Sequence, residues 1–252
     1  MQLVSFGSHD GAMTAGISIG DLDNASSVGV FTSGMDSGVH GLSNTFDGLS
    51  QIQDGDADMA MVTWIGYNSP GILNVSGPSR AESGAEELAP FLESIETQNA
   101  ARDHFVVLGH SYGTYVVAEA LQLTSADVDT FVSIASAGLE WGTTTEDLGV
   151  EDIYATEADA DIWAFTGRMA GIRVDPRNLE SVVEFSAEHT PDGETVTSHF
   201  LTEDDGVGYM DTNSSAWFTI NQIMEDAQIR EKDDVETSIW DSMLMPLGGG
   251  LR

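Results

Sequence analysis

Hydrophobic residues along this chain recur at two spacings, and the switches between them divide it into strands and helices. Residues 3–6 (LVSF) and 13–19 flank the turn-rich stretch 7–11, which predicts a hairpin at the edge of a sheet. Residues 28–32 (VGVFT) form a third strand that runs out at Ser33-Gly34-Met35-Asp36. Leu42, Phe46, Leu49 and Ile52 then follow one face of a helix. A strand at 59–65 (MAMVTWI) leads through a Gly/Asn/Pro loop to a second helix carrying Leu88, Phe91, Leu92 and Ile95. Pro90 predicts a kink in that helix or a later start. Residues 105–108 are an unbroken apolar run, as in a strand buried on both faces, and residues 115–121 return to helical spacing. Further strands are expected at 130–135, 153–156 and 182–186, and a last helix around Trp217, Ile220 and Met224. Alternating strands and helices predict an α/β fold, a mostly parallel sheet with helices on both faces.

The turn between the strand at 105–108 and the helix behind it reads Gly109-His110-Ser111-Tyr112-Gly113, a G-x-S-x-G pattern. The pattern alone is common, but a strand before it and a helix after it are the setting of a nucleophile elbow. There a serine sits in a strained turn that small neighbours permit, with a helix N-terminus behind it. A serine hydroxyl needs a base to take its proton, and that base needs a third group to hold its tautomer. In elbows of this kind the chain order is serine, acid, histidine. His9, His40 and His104 come too early and His110 lies inside the turn, which leaves His189 and His199. His199 is preferred, because it follows a strand and a polar loop and precedes the last helix. The acid belongs after the strand at 153–156, where Glu157, Asp159 and Asp161 are available. Asp161, beside the apolar Ile162-Trp163, is expected to be partly buried, with Asp159 as the alternative. Two backbone N–H groups must face the developing oxyanion. One is expected from Tyr112 and the other from Met35, after the glycine turn at Gly34.

Composition narrows the setting. The chain carries 42 acidic against eight basic residues, a net charge of −34, with Lys232 the only lysine. Such a field repels nucleic acid and anionic membranes, and is expected to mark adaptation to high salt. Cysteine is absent, which excludes disulfides and thiolate chemistry. No apolar run is long enough for a membrane span, and residues 1–11 lack the basic and apolar regions of a signal peptide. The motifs call for no metal or other cofactor. The carboxylates Glu203-Asp204-Asp205 lack the spacing of a calcium loop and read as a solvated acidic face. One domain is expected over residues 1–230, followed by a flexible tail at 231–252.

With these pieces placed, the chain resembles an actinobacterial family of α/β-hydrolases long known only as a domain of unknown function. The resemblance rests on the stretch from Ile19-Gly20-Asp21 into residues 28–34, on Trp64-Ile65-Gly66-Tyr67 and on the elbow. It rests further on Asp147-Leu148-Gly149-Val150 and Asp175-Pro176. It implies an α/β-hydrolase fold with Ser111 as nucleophile, Asp161 as acid and His199 as base. Members usually carry Pro-Gly-Thr-Gly in the oxyanion loop, where this chain has Ser33-Gly34-Met35-Asp36. The function expected is a serine carboxylester hydrolase without a large lid, acting on short-chain or otherwise accessible small-molecule or polymeric esters. An amidase, thioesterase or acyltransferase with the same triad, and a silent binding module on this fold, are the alternatives.

Overall fold

The structure, a computed structural model, describes residues 1–9, 12–34, 42–53, 56–67, 79–226 and 229. Eight strands make one sheet: β1 (Gln2–His9), β2 (Ala12–Ile19), β3 (Ser27–Thr32), β4 (Met59–Ile65), β5 (His104–His110), β6 (Thr130–Ile134), β7 (Asp152–Thr156) and β8 (Val183–Glu184). Their order across the sheet is β1-β2-β4-β3-β5-β6-β7-β8. The hairpin β1–β2 is antiparallel and joins β4 antiparallel, while every pair from β4 through β3 to β8 is parallel.

Among the described residues six α-helices connect and cover the sheet: α1 (Leu42–Gln53), α2 (Ser79–Gln98), α3 (Gly113–Leu121), α4 (Thr145–Leu148), α5 (Ile162–Gly171) and α6 (Ser215–Met224). The two-residue period of a strand sends successive side chains to opposite faces. In β5, Phe105 and Val107 join a core under α2 and α3 with Leu88, Leu92 and Val116. Val106 and Leu108 join the opposite core with Leu49 and Ile52 of α1 and Ile220 and Met224 of α6. That double burial is why the sequence of β5 runs apolar without interruption.

Several boundaries differ from expectation. Helix α2 begins at Ser79, well before Pro90, and buries Ala81, Gly84 and Ala85 as well as Leu88. Tertiary packing on both sides of Pro90 outweighs the one backbone hydrogen bond that proline forfeits. Strand β6 stops at Ile134, because Ala135 turns to φ +49°. Strand β8 pairs with β7 over only Val183 and Glu184, shorter than the expected 182–186. Two helices were not foreseen. α4 is a single turn closed by a capping box between Thr144 and Asp147. α5 is amphipathic in the reverse sense, as described below. Only α4 and connecting turns stand between β6 and β7. Among the described residues no helix is long and apolar enough to cross a membrane. The tail 231–252 lies outside the described residues.

Candidate active site

Ser111 and Tyr112 alone connect β5 to α3. So sharp a reversal drives Ser111 to φ +55°, a left-handed conformation that costs a side-chain-bearing residue about 1–2 kcal/mol. Neighbouring strands hold it there. The Ser111 amide donates to Ile134 O at 2.9 Å, and its carbonyl accepts from the Ala137 amide at 3.1 Å and the Thr114 hydroxyl at 2.7 Å. The two glycines of the motif are forced by close backbone approach. A Cβ on Gly109 would stand 2.6 Å from Thr114 Cα, and one on Gly113 would stand 2.3 Å from Thr32 O. The second contact shows α3 starting directly against the C-terminal end of β3.

Gly34, two residues after β3, therefore lies beside the elbow. A Cβ on Gly34 would come within 2.8 Å of Ser111 Cβ and 3.0 Å of Tyr112 N. The Tyr67 hydroxyl donates to Ser33 O at 3.0 Å, and the Tyr67 ring stacks on Trp64. The Trp-x-Gly-Tyr element thus ties the end of β4 to the loop that follows β3. Met35 lies outside the described residues.

Ser111 Oγ is 2.9 Å from His199 Nε2, and His199 Nδ1 is 2.9 and 2.8 Å from the two oxygens of Asp161. Asp161 is the N-cap of α5, and its Oδ1 accepts the amides of Trp163 and Ala164, each at 3.1 Å. Its Oδ2 accepts the hydroxyl of Tyr209 at 2.9 Å. Burial pushes the Asp161 carboxyl up, but the hydrogen bond and charge of His199, the Ala164 amide and the Tyr209 hydroxyl together hold it below 3.8, its ordinary value. An ionised Asp161 can only accept, so the proton of His199 sits on Nδ1, Nε2 is an acceptor and the Ser111 hydroxyl donates to it. A row of hydroxyl, imidazole and carboxylate so arranged can take a proton from the hydroxyl as it attacks.

The alternatives lie elsewhere. His189 is exposed on the loop after β8, and Asp159 is exposed with its amide donating to Glu188. The reason expected for Asp161's burial needs correction, because Ile162 and Trp163 are themselves exposed. The carboxylate is covered instead by Tyr209, the first turn of α5 and His199. Among the described residues no group of three or more His, Asp or Glu is arranged to hold a metal ion.

Two further residues complete the arrangement, and no motif announces either. Tyr209 is fully buried, and its hydroxyl accepts the Ala158 amide at 2.9 Å while donating to Asp161. Burial and then the nearby Asp161 charge raise its pKa, so it stays a phenol. His110, inside the elbow, places Nε2 2.8 Å from the carbonyl of His199, with the two rings 5.0 Å apart. A carbonyl only accepts, so His110 carries its proton on Nε2. Burial, and next the charge of His199, lower its pKa to about 3. His110 is therefore neutral.

Behind the acid loop, Glu157 pairs with both guanidinium nitrogens of Arg168, and Arg168 also donates to Ser136 O at 2.7 Å. Arg177 joins Glu157 at 3.1 Å and Asp175 at 2.6 Å. This buried cluster ties β7, α5 and the turn at Pro176–Asn178 together. A cavity of about 290 Å³ lies between the Asp161 loop and the His199 loop, bordered by Ile162, Trp163, His199, Phe200 and Glu203. Ser111 does not border it.

Uncharacterised proteins of Mycobacterium tuberculosis and Mycobacterium bovis are 31% identical to the chain over 156 residues, 56% of this chain and 58% of theirs. The matched region therefore spans less than two thirds of those relatives. Among solved structures, esterase PE8 aligns with a TM-score of 0.53 at 12% identity, covering 85% of this chain and 99% of that one. A lipase-esterase related protein of Clostridium acetobutylicum aligns at 0.52 and 10% identity, covering 86% and 100%. At such identities the likeness is one of fold. The model of one family, described as alpha/beta hydrolase, matches residues 9–170, well over half of the chain, and the chain belongs to that family.

Proposed function

We propose that the protein is a serine carboxylester hydrolase in which Ser111 is the nucleophile, His199 the general base and Asp161 the orienting acid. The observation that carries this reading is the strained Ser111, at φ +55°, with its hydroxyl 2.9 Å from His199 Nε2 and Asp161 on the far side of the imidazole. Ser111 Oγ attacks the ester carbonyl while His199 accepts its proton, and Asp161 stabilises the imidazolium so formed. The oxyanion receives the Tyr112 amide at the N-terminus of α3, where the helix dipole favours negative charge. A second amide is assigned to Met35, since Gly34 runs directly against the elbow. His199 then protonates the leaving alcohol, and water brought in by the same base releases the acid. Short-chain or otherwise accessible esters are the substrates proposed, since only α4 and turns separate β6 from β7.

The test is covalent labelling with a fluorophosphonate. Labelling should map to Ser111, and Ser111→Ala should abolish it and lower kcat/KM on p-nitrophenyl acetate by at least about 10³-fold. A folded protein that takes no label, or activity that survives in Ser111→Ala, would overturn the assignment. Parallel assays on anilides and acyl thioesters rank the bond types, which differ in leaving group and not in the residues invoked.

A further inference from the structure

Helix α5 is built inside out. Its buried side carries Ala164, Gly167 and the ion-paired Arg168, while its solvent side carries Ile162, Trp163, Phe165 and Met169. At 100° per residue Ile162, Phe165 and Met169 fall within one narrow stripe, which Ile172 extends just beyond the helix end. These side chains are far from marginal in exposure: Ile162 72%, Met169 66% and Ile172 78%. The ion-paired Arg168 is the helix's only charged residue, in a chain with 42 acidic residues. A contiguous exposed apolar stripe on an otherwise highly charged molecule marks a binding surface.

The position of the stripe identifies what it meets. α5 starts at Asp161, its cap. Ile162 and Trp163 border the cavity beside His199, and the exposed Phe200, next in sequence to the base, borders it too. The apolar surface thus reaches the edge of the cavity that His199 borders. Charge selects further. At −34, the chain repels both a second copy of itself and any anionic surface. An uncharged apolar partner meets no such repulsion.

Resting on the esterase reading above, we infer that α5, with Phe200, docks the uncharged surface of a water-insoluble ester and so delivers ester groups to the site from an aggregated phase. The triple variant Phe165→Gln/Met169→Gln/Ile172→Asn removes the apolar stripe without altering net charge. Asn suits the left-handed conformation of residue 172, where φ is +53°. Flotation with triolein droplets, performed in a Ser111→Ala background so that the lipid persists, reads docking independently of catalysis. The Ser111→Ala protein should float with the droplets, and adding the triple substitution should cut recovery by at least about tenfold. The triple variant with Ser111 intact should keep kcat/KM on dissolved p-nitrophenyl acetate within about twofold of the parent, which also shows that it folds. Leu123→Gln, an exposed apolar residue after α3, should float like the parent. A parent that stays in the aqueous layer, or a triple variant that still floats, overturns the inference. So does a parent dimer in sedimentation that the triple substitution dissolves, which would make a second copy the occupant. Failure of Ser111 labelling would instead remove the esterase reading and leave the flotation result standing.

Discussion

His110 stands between the strained turn and His199, and its protonation state matters to both. Its Nε2–H holds the His199 carbonyl, and a charged ring only 5.0 Å from His199 would oppose the His199 imidazolium that the proposed mechanism requires. Burial avoids this by lowering its pKa from 6.5 to about 3. The linkage has a definite sign. Between those values the unfolded chain binds a proton at this residue that the folded chain does not, so the contribution is complete above 6.5 and is lost as pH falls toward 3. In urea titrations the native protein should lose stability over that range with a slope of up to about 1.4 kcal/mol per pH unit from this residue. His110→Gln keeps an N–H donor but does not titrate, and should show a shallower slope. Parallel curves for the two proteins would refute the assignment. Asp161, held below 3.8, adds its own loss once the pH falls past 3.8, at the acidic end of that range. None of this is legible in the motif, which admits any residue at position 110.

Helix α5 shows why some elements escaped the hydrophobic pattern. Period and polarity predict a helix whose apolar stripe faces the core, yet Ile162, Phe165 and Met169 face water while Arg168 faces inward. The helix is held by its ends and by ions. Asp161 caps its first turn, and Arg168 anchors it to Glu157 and to Ser136 O. Replacing one member of a buried ion pair leaves the other charge uncompensated and costs about 3–5 kcal/mol. Arg177 still reaches Glu157, so Arg168→Leu should sit near the lower end, about 3 kcal/mol in urea unfolding. Glu157→Gln added to Arg168→Leu should recover part of that loss, whereas additive losses would mean the pair is not coupled. Helix α2 makes the complementary point, since packing of Ala81, Gly84 and Ala85 carries the helix N-terminal to Pro90 and removes the later start, one of the two outcomes that Pro90 suggested.

Across the whole molecule, charge is the dominant unexplained quantity. Forty-two acids against eight bases leave a net −34, and three of those bases, Arg168 within α5 and Arg173 and Arg177 after it, precede β8. Arg168 and Arg177 are committed to buried pairs, and Arg173 lies over the rings of Tyr112 and Tyr115. Little positive charge is left to offset surface repulsion. Screening should therefore stabilise the fold, because the Debye length drops from about 10 Å at 0.1 M salt to about 3 Å at 1 M. Thermal melts in rising NaCl should show an increasing Tm, and a Tm that falls would contradict salt adaptation. The same screening offers a control for triolein flotation, since docking through an apolar stripe should strengthen with salt, not weaken.

The sequence by itself determined the alternation of strands and helices, the apolar run of β5 and the elbow around Ser111. Those follow from local periodicity and from glycines that only small size permits at Gly109 and Gly113. It also narrowed the candidates for a base to two histidines and those for an acid to a few carboxylates, because chain order limits them. Only the tertiary structure decided which of them meet. Hydrogen bonds of 2.8–2.9 Å join His199 to Asp161 and Ser111, residues 38 and 88 positions away along the chain. The cover that Tyr209 gives the acid, the neutrality of His110 and the outward face of α5 arise in the same way. Each depends on loops converging at one end of the sheet, and a local pattern carries no record of which distant residues will pack there.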